Sequence, residues 1–282
     1  MTGLQRTMNV LSGGVVAPPA CGVTFIASDV LPRQSRALDP AAALARAYAD
    51  AELDFAFVSS WEPWAGVLAG LLREASIAVL WVVPGVLWPA LGAVGVGEGL
   101  RTIARHPGSL ASELDRAAEA MLHAVATGVG LHADAVVVAD DMAGETGPLV
   151  SPDFVSAHVL PRLTYAVDAA ASAGVPALLH SDGDISALLP ACRDAGFVGV
   201  HACVSGAEAF ERVYAHARRQ GLAVLGGLPA RLLSGGLPAA VLAGTRLAIL
   251  AQSGGLLIAD DGGITTPEEY AALLAALAAT RD

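Results

Sequence analysis

The segment His180-Ser-Asp182-Gly-Asp184 holds the densest chemistry in this chain. Residues two apart at a strand end project to one side, so His180 and Asp182 can chelate one metal ion. They can equally form an acid/base pair in which Asp182 orients the imidazole. The plain alternative is a histidine hydrogen-bonded inside the fold, with Asp182 and Asp184 shaping a turn. Asp140-Asp141 closes another apolar run. Strand neighbours face opposite ways, so one of the two faces a pocket, and Asp141, nearer the loop, is the one expected there. Carboxylates gathered at one mouth raise one another's pKa unless a cation balances them. His201-Ala-Cys203 also has the spacing of a chelating pair, although a buried cysteine is ordinary core material. Asp260-Asp261-Gly-Gly263 reads as a loop at the same mouth.

Other residue types point to substrate contacts. Trp61-Glu-Pro-Trp64 offers aromatic faces, Trp61 first, for a flat or methyl-bearing molecule. Arg33-Gln-Ser-Arg36 offers two guanidinium groups for carboxylates, and Asp29 lies just before them. Asp29, Arg33, Arg36, Trp61 and His201 are therefore the expected substrate-binding residues. Gly95-Val-Gly97-Glu-Gly99 has the look of a phosphate-cradling loop, but no strand-turn-helix unit surrounds it.

These residues need a scaffold that brings strand ends together. Short apolar runs alternate with longer amphipathic or alanine-rich segments. Strands are predicted at Gly22–Ala27, Asp54–Val58, Ile77–Val83, Ala135–Ala139, Pro176–His180, Val198–His201, Leu222–Leu225 and Leu256–Ala259. Helices are predicted at Pro40–Ala51, Trp64–Glu74, Leu110–Gly128, Pro152–Ala173, Ile185–Ala195, Gly206–Gln220, Leu237–Ser253 and Pro267–Ala279. Eight repeats of strand then helix predict parallel strands with crossover helices, and hence an α/β fold, a single (β/α)8 TIM barrel. In such a barrel the chemistry sits at the C-terminal strand ends, which is where every candidate above falls. Residues 1–282 read as one domain.

Composition removes several functions. The 282 residues include 16 arginines and no lysine. Schiff-base, lysine-anchored pyridoxal and P-loop chemistry are thereby excluded. A formal net charge of −11 argues against nucleic acid and anionic membrane surfaces as partners. The uncharged run from Ala75 to Gly97 is broken by Pro84, Pro89 and four glycines, and suits a buried strand rather than a membrane span. The stretch before Cys21 is short and glycine-broken for a secretion signal. Three scattered cysteines fit a reducing compartment. A cytoplasmic location is expected.

Several of these segments carry a resemblance. Ala139-Asp-Asp-Met-Ala-Gly-Glu-Thr-Gly-Pro-Leu-Val-Ser-Pro-Asp-Phe154, then His158-Val-Leu-Pro-Arg162 and Gly174-Val-Pro-Ala-Leu-Leu-His-Ser-Asp-Gly-Asp184, resemble the uroporphyrinogen decarboxylase superfamily. Leu225-Gly-Gly-Leu-Pro-Ala-Arg-Leu-Leu233, Gly254-Gly-Leu-Leu-Ile-Ala259 and Thr266-Pro-Glu-Glu269 extend the match, which covers roughly Ala135 to Leu277. Residues 1–20 are a poorly matched N-terminal extension. The superfamily includes the decarboxylase and the corrinoid-dependent methyltransferases.

The resemblance implies a barrel with its site at the C-terminal mouth, and a homodimer. The decarboxylase grips its substrate with an Arg-Gln-Ala-Gly-Arg loop. Arg33-Gln34 matches only its start, and Asp261-Gly262-Gly263 stands where that enzyme has Gly-His-Gly. The methyltransferase branch holds zinc through a His-x-Cys pair and a later cysteine. His180 matches the first ligand, Asp182 stands at the first cysteine, and Asp261 or Gly262 at the second. The expected metal set is then His180, Asp182 and Asp261, and the expected catalytic set Asp141, His180 and Asp182. The function implied is a metal-assisted methyltransferase that passes a methyl group between a small molecule and a corrinoid protein. The alternatives are a metal-free decarboxylase of a uroporphyrinogen-like substrate and a non-catalytic barrel subunit.

Overall fold

The computed structural model describes residues 1–27, 29–31 and 39–281. Ten strands occur in chain order: β1 Gly22–Val23, β2 Phe55–Ser59, β3 Ala78–Pro84, β4 Ala135–Ala139, β5 Ala143–Gly144, β6 Gly147–Pro148, β7 Ala177–Asp182, β8 Gly199–Cys203, β9 Ala223–Leu228 and β10 Leu256–Asp260. All but β5 and β6 form one parallel sheet in the order β1-β2-β3-β4-β7-β8-β9-β10. A bridge between Cys21 and Ile258, with the Ile258 amide donating to the Ala20 carbonyl at 2.9 Å, closes the ring. The fold is the expected (β/α)8 barrel.

Alternation along the strands sorts the core into two shells. Phe55, Phe57, Leu80, Val82, Val137, Leu178, Leu225 and Leu257 pack inside the ring. Their neighbours Ala56, Val58, Val79, Trp81, Val136, Val138 and Leu179 pack outward beneath the helices. Valine, isoleucine and leucine runs suit strands that are buried on both faces. Val10 and Leu11 join the inner cluster from below. They belong to a helix, Gly3–Leu11, opened by a Thr2 capping box in the N-terminal extension. Arg6 of that helix pairs with buried Asp54, and the Leu4 amide donates to the Ser76 carbonyl at 3.1 Å. The extension therefore plugs the N-terminal end of the barrel.

Local departures from the sequence reading have local causes. Strand β1 ends at Val23 because the Thr24 amide donates to the Asp260 carboxylate at 2.7 Å instead of a backbone carbonyl. The helix expected at Pro152–Ala173 starts as a turn at Pro152–Phe154, widens to π geometry at Val155–Val159 and becomes regular at Leu160–Ser172. Pro161 lacks an amide hydrogen and crowds the preceding turn, which the wider turn relieves. Two helices, Leu87–Val94 and Val96–Arg105, fill the glycine-rich stretch for which the sequence predicts none. Gly95, at φ +87°, separates them. The β5–β6 hairpin and the short helix Ala230–Leu233 also go beyond the sequence reading. No helix among the described residues is long and apolar enough to cross a membrane.

Candidate active site

Parallel register sets the site. In the β7–β8 ladder His180 lies opposite His201, and Asp182 lies opposite Cys203. Both pairs continue the inward phase of Leu178, so apolar filling gives way to polar groups at the last turn of the barrel. His180 Nδ1 is 2.8 Å from His201 Nδ1. His201 Nε2 lies 3.0 Å from the Asp260 carbonyl oxygen, which can only accept. Nε2 of His201 therefore carries the hydrogen. In the neutral ring its Nδ1 is bare and accepts from His180 Nδ1–H. Burial, chiefly, and the neighbouring His180 push His201 down to about 3, which keeps that ring neutral. Phe57 meets it edge-on, with ring centroids 5.1 Å apart.

The other nitrogen of His180 faces acid. Nε2 is 3.7 Å from Asp141 Oδ1 and 3.9 Å from Asp182 Oδ1. Burial lowers the His180 pKa, and Asp141, Asp182 and Asp261 pull it back up. Burial and the like charge of Asp141 raise Asp182, while His180 opposes them. The Asp182 amide donates to Asp141 Oδ1 at 3.0 Å, which ties the two strand ends together. Ser181 points away and holds the β5–β6 loop, accepting from the Met142 amide at 2.9 Å. Gly183 sits at φ +81°, where an added Cβ would lie 2.4 Å from the Gly144 carbonyl oxygen. Only glycine lets the Asp182 loop run this close beneath the hairpin.

Asp140 and Asp260 are structural. Asp140 is fully buried and accepts from the amides of Val86, Leu87 and Trp88 at 2.8, 2.9 and 2.8 Å. It caps the helix Leu87–Val94 from the end of the adjacent strand, β4. Gly85 admits it, since a Cβ there would meet the Asp140 Cβ at 2.2 Å. Asp260 takes the amides of Thr24 and Gly263, both at 2.7 Å, and the Thr24 hydroxyl. Burial pushes each of these carboxyls up to about 6 against those hydrogen bonds.

The remaining candidates separate. Asp261 holds the Ala230 amide at 2.8 Å with Oδ1, and its carboxyl is raised by burial first and by Asp182 next. Its carboxylate lies outside the tight group formed by Asp141, His180 and Asp182. Trp61 is 57% exposed at the end of β2, and Asp29 is exposed after β1. Arg33 and Arg36 lie outside the described residues. Beside the histidines a cavity of about 740 Å³ opens, lined among others by Asp182, Cys203, Asp261, Arg212 and Arg231. The two arginines go beyond the sequence reading. They sit on helical segments after β8 and β9, where nothing in the sequence distinguishes them from surface charge.

Two groups of ligand atoms converge on His180. Asp141, His180 and Asp182 form one, and His180, His201 and Cys203 the other. Cys203 Sγ is 3.7 Å from Nδ1 of each histidine and 3.6 Å from His201 Nε2, and it donates to the Asp261 carbonyl at 3.3 Å. Imidazole, thiolate and carboxylate are the donors zinc accepts, so these residues fit that metal.

Known proteins share this architecture. The fold matches a methyltransferase from Methanosarcina mazei at a TM-score of 0.74 and 20% identity, over 99% of this chain and 98% of that one. D-psicose 3-epimerase from Clostridium cellulolyticum aligns at 0.56 and 8% identity, over 93% and 98% of the two chains. An archaeal fructose 1,6-bisphosphate aldolase aligns at 0.51 and 11%, over 98% and 97%. At these identities the likeness shows the barrel alone. No curated protein matches the chain by sequence. The model of the uroporphyrinogen decarboxylase (URO-D) family matches residues 91–268, which takes in β4 to β10 and the whole His180 cluster. The chain belongs to the uroporphyrinogen decarboxylase family.

Proposed function

We propose that this barrel is a methyltransferase that moves a methyl group between a small molecule and a corrinoid carried by a partner protein, with zinc bound at His180. The observation that carries the reading is the convergence of His180 with Asp141 and Asp182 at the barrel mouth. The carboxylates of Asp141 and Asp182 oppose each other's ionisation, and positive charge held at His180 beside them relieves that repulsion. Zinc at His180 supplies Lewis acidity, polarising the atom that gives or takes the methyl group. His180 at the first zinc-ligand position, and Asp261-Gly262-Gly263 where the decarboxylase has Gly-His-Gly, support this branch of the family over the decarboxylase.

The chain's own groups then have distinct work. Asp182, raised by burial and by Asp141, holds a proton on its carboxyl oxygen more readily than a free aspartate does. It is placed to give that proton to a leaving atom or take one from an acceptor. The Asp182 amide fixes Asp141 in turn. Asp261 adds negative charge from β10. The cavity of about 740 Å³ holds the small molecule. Phe25, Trp61, Trp88 and Leu149, at 41, 57, 42 and 37% exposure, follow the first four barrel strands. Such an apolar rim suits a protein that presents a large planar corrinoid. The subunit is soluble, cytoplasmic and homodimeric in this reading.

The test pairs metal analysis with a corrinoid assay. Purified protein should carry zinc and change the visible spectrum of methylcobalamin in the presence of an acceptor thiol, and His180→Ala should lose both. Zinc-free protein that leaves methylcobalamin unchanged, yet releases carbon dioxide from uroporphyrinogen, would overturn the reading.

A further inference from the structure

The carboxylate side of His180 is one of two places where a metal can bind it. We infer that the metal ligands are His180 Nδ1, His201 Nδ1 and Cys203 Sγ, a site of two nitrogens and one sulfur shared between β7 and β8. The inference rests on the reading that His180 binds a metal, and it is independent of the reaction that follows.

The sulfur is 3.7 Å from both Nδ1 atoms. Ligands about 2.0 and 2.3 Å from a tetrahedral zinc stand about 3.6 Å apart, so the sulfur is at metal spacing from each Nδ1. It is also 3.6 Å from His201 Nε2, over that ring's face, so the His201 ring turns for its Nδ1 to share the metal. The two nitrogens, 2.8 Å apart, share a proton that the metal would replace, and they need open only to about 3.3 Å.

The outer nitrogens decide between the two sides. With metal on both Nδ1 atoms, each Nε2 carries its hydrogen. His201 Nε2–H then keeps its bond to the Asp260 carbonyl. His180 Nε2–H points at Asp141 and Asp182, which become its acceptors. Histidine ligands that donate their far N–H to a carbonyl or carboxylate are the usual arrangement around zinc. A metal among Asp141, Asp182 and His180 Nε2 gives the inner half no such completion. His201 would keep its neutral tautomer, and Cys203 would remain an idle thiol.

Register explains why the site is easy to overlook. His180-Ser-Asp182 lacks a thiol, but His201-Ala-Cys203 stands opposite it residue for residue. The thiol is supplied by the adjacent strand. Cys203 also lines the mouth cavity, so a fourth position is within reach of a small molecule. Metal binding breaks the S–H bond, and the proton leaves the Asp261 carbonyl for solvent.

Anaerobic cobalt(II) titration of the zinc-free full chain reads out the ligand set directly. The wild type should bind stoichiometrically with a strong near-ultraviolet thiolate-to-cobalt band. Cys203→Ser should lose that band and weaken binding by about a hundredfold or more, and Asp182→Asn should keep the band and change affinity by about tenfold at most. Zinc-edge absorption of the unmutated protein, showing one sulfur neighbour, gives the same answer should Cys203→Ser not fold. A bound cobalt or zinc without sulfur, weakened chiefly by Asp182→Asn, overturns this ligand set and leaves a metal at His180 standing. No metal binding by the wild type overturns both.

Discussion

His180 and His201 meet nitrogen to nitrogen at 2.8 Å, and one proton serves both. The Asp260 carbonyl settles the ownership, because it claims the hydrogen on His201 Nε2. The metal-free rings therefore hold opposite tautomers, His180 with Nδ1–H and His201 with Nε2–H. Nitrogen-15 shifts of the histidines at neutral pH should show one ring of each kind, and zinc should convert His180 to Nε2–H. Identical tautomers before metal addition would contradict the contact.

Asp140 should make stability fall as pH rises. Its folded pKa is raised to about 6 by burial, above its unfolded value near 4. Its contribution is thus fully present below about pH 4 and is lost as pH climbs through about 6. The loss amounts to roughly 3 kcal/mol. Urea unfolding at the two ends of that window should show Asp140→Asn gaining on the wild type toward high pH. Asp140→Ala, which strands three amides at the helix start, should instead cost about 3 kcal/mol or more throughout.

At the other end of the barrel, Asp54→Ala leaves Arg6 unpaired beside a buried site and frees the Cys21 amide that Asp54 accepts at 2.8 Å. A loss of about 3–5 kcal/mol is expected. Metal affinity should not change, since the pair lies below the apolar interior. A parallel fall in metal affinity would mean that the two ends are coupled.

Gly183→Ala should do the reverse. The new methyl would press on the Gly144 carbonyl and displace the Asp182 loop. Turnover should drop at least about tenfold, with a stability cost of about 1–3 kcal/mol. Unchanged kinetics with a lowered melting temperature would show that the loop does not set the site.

The three cysteines offer a check that needs no mutation. Burial pushes Cys21 and Cys192 up to about 12 and raises Cys203 as well. Cys21 and Cys192 should not react with a thiol reagent at pH 8 while the protein is folded, whereas all three should react in guanidinium. Rapid labelling of Cys21 or Cys192 in the native protein would show that a core this closed does not form.

The fold is legible because the barrel strands are short apolar runs, several of them ended by glycine or acid, and β4 begins and ends where the pattern places it. Strand alternation says only that one of Asp140 and Asp141 faces the mouth, and nearness to the loop is what selects Asp141. What the pattern could not carry was register. The pairing of His180 with His201 and of Asp182 with Cys203 depends on how β7 and β8 slide past each other, and spacing within either strand is silent on that. The helix Leu87–Val94 was hidden for a similar reason, since its cap, Asp140, is contributed from another strand.

The plug at the base of the barrel makes the molecule a vessel with one door. Val10 and Leu11 close the floor, so whatever reaches His180 enters and leaves through the mouth. On the methyl transfer we propose, a small methyl donor and a carrier protein would have to take turns at that opening or stand in it together. Each should therefore slow the other's arrival, and the pattern of mutual inhibition will tell a relay of separate visits from a meeting of all three.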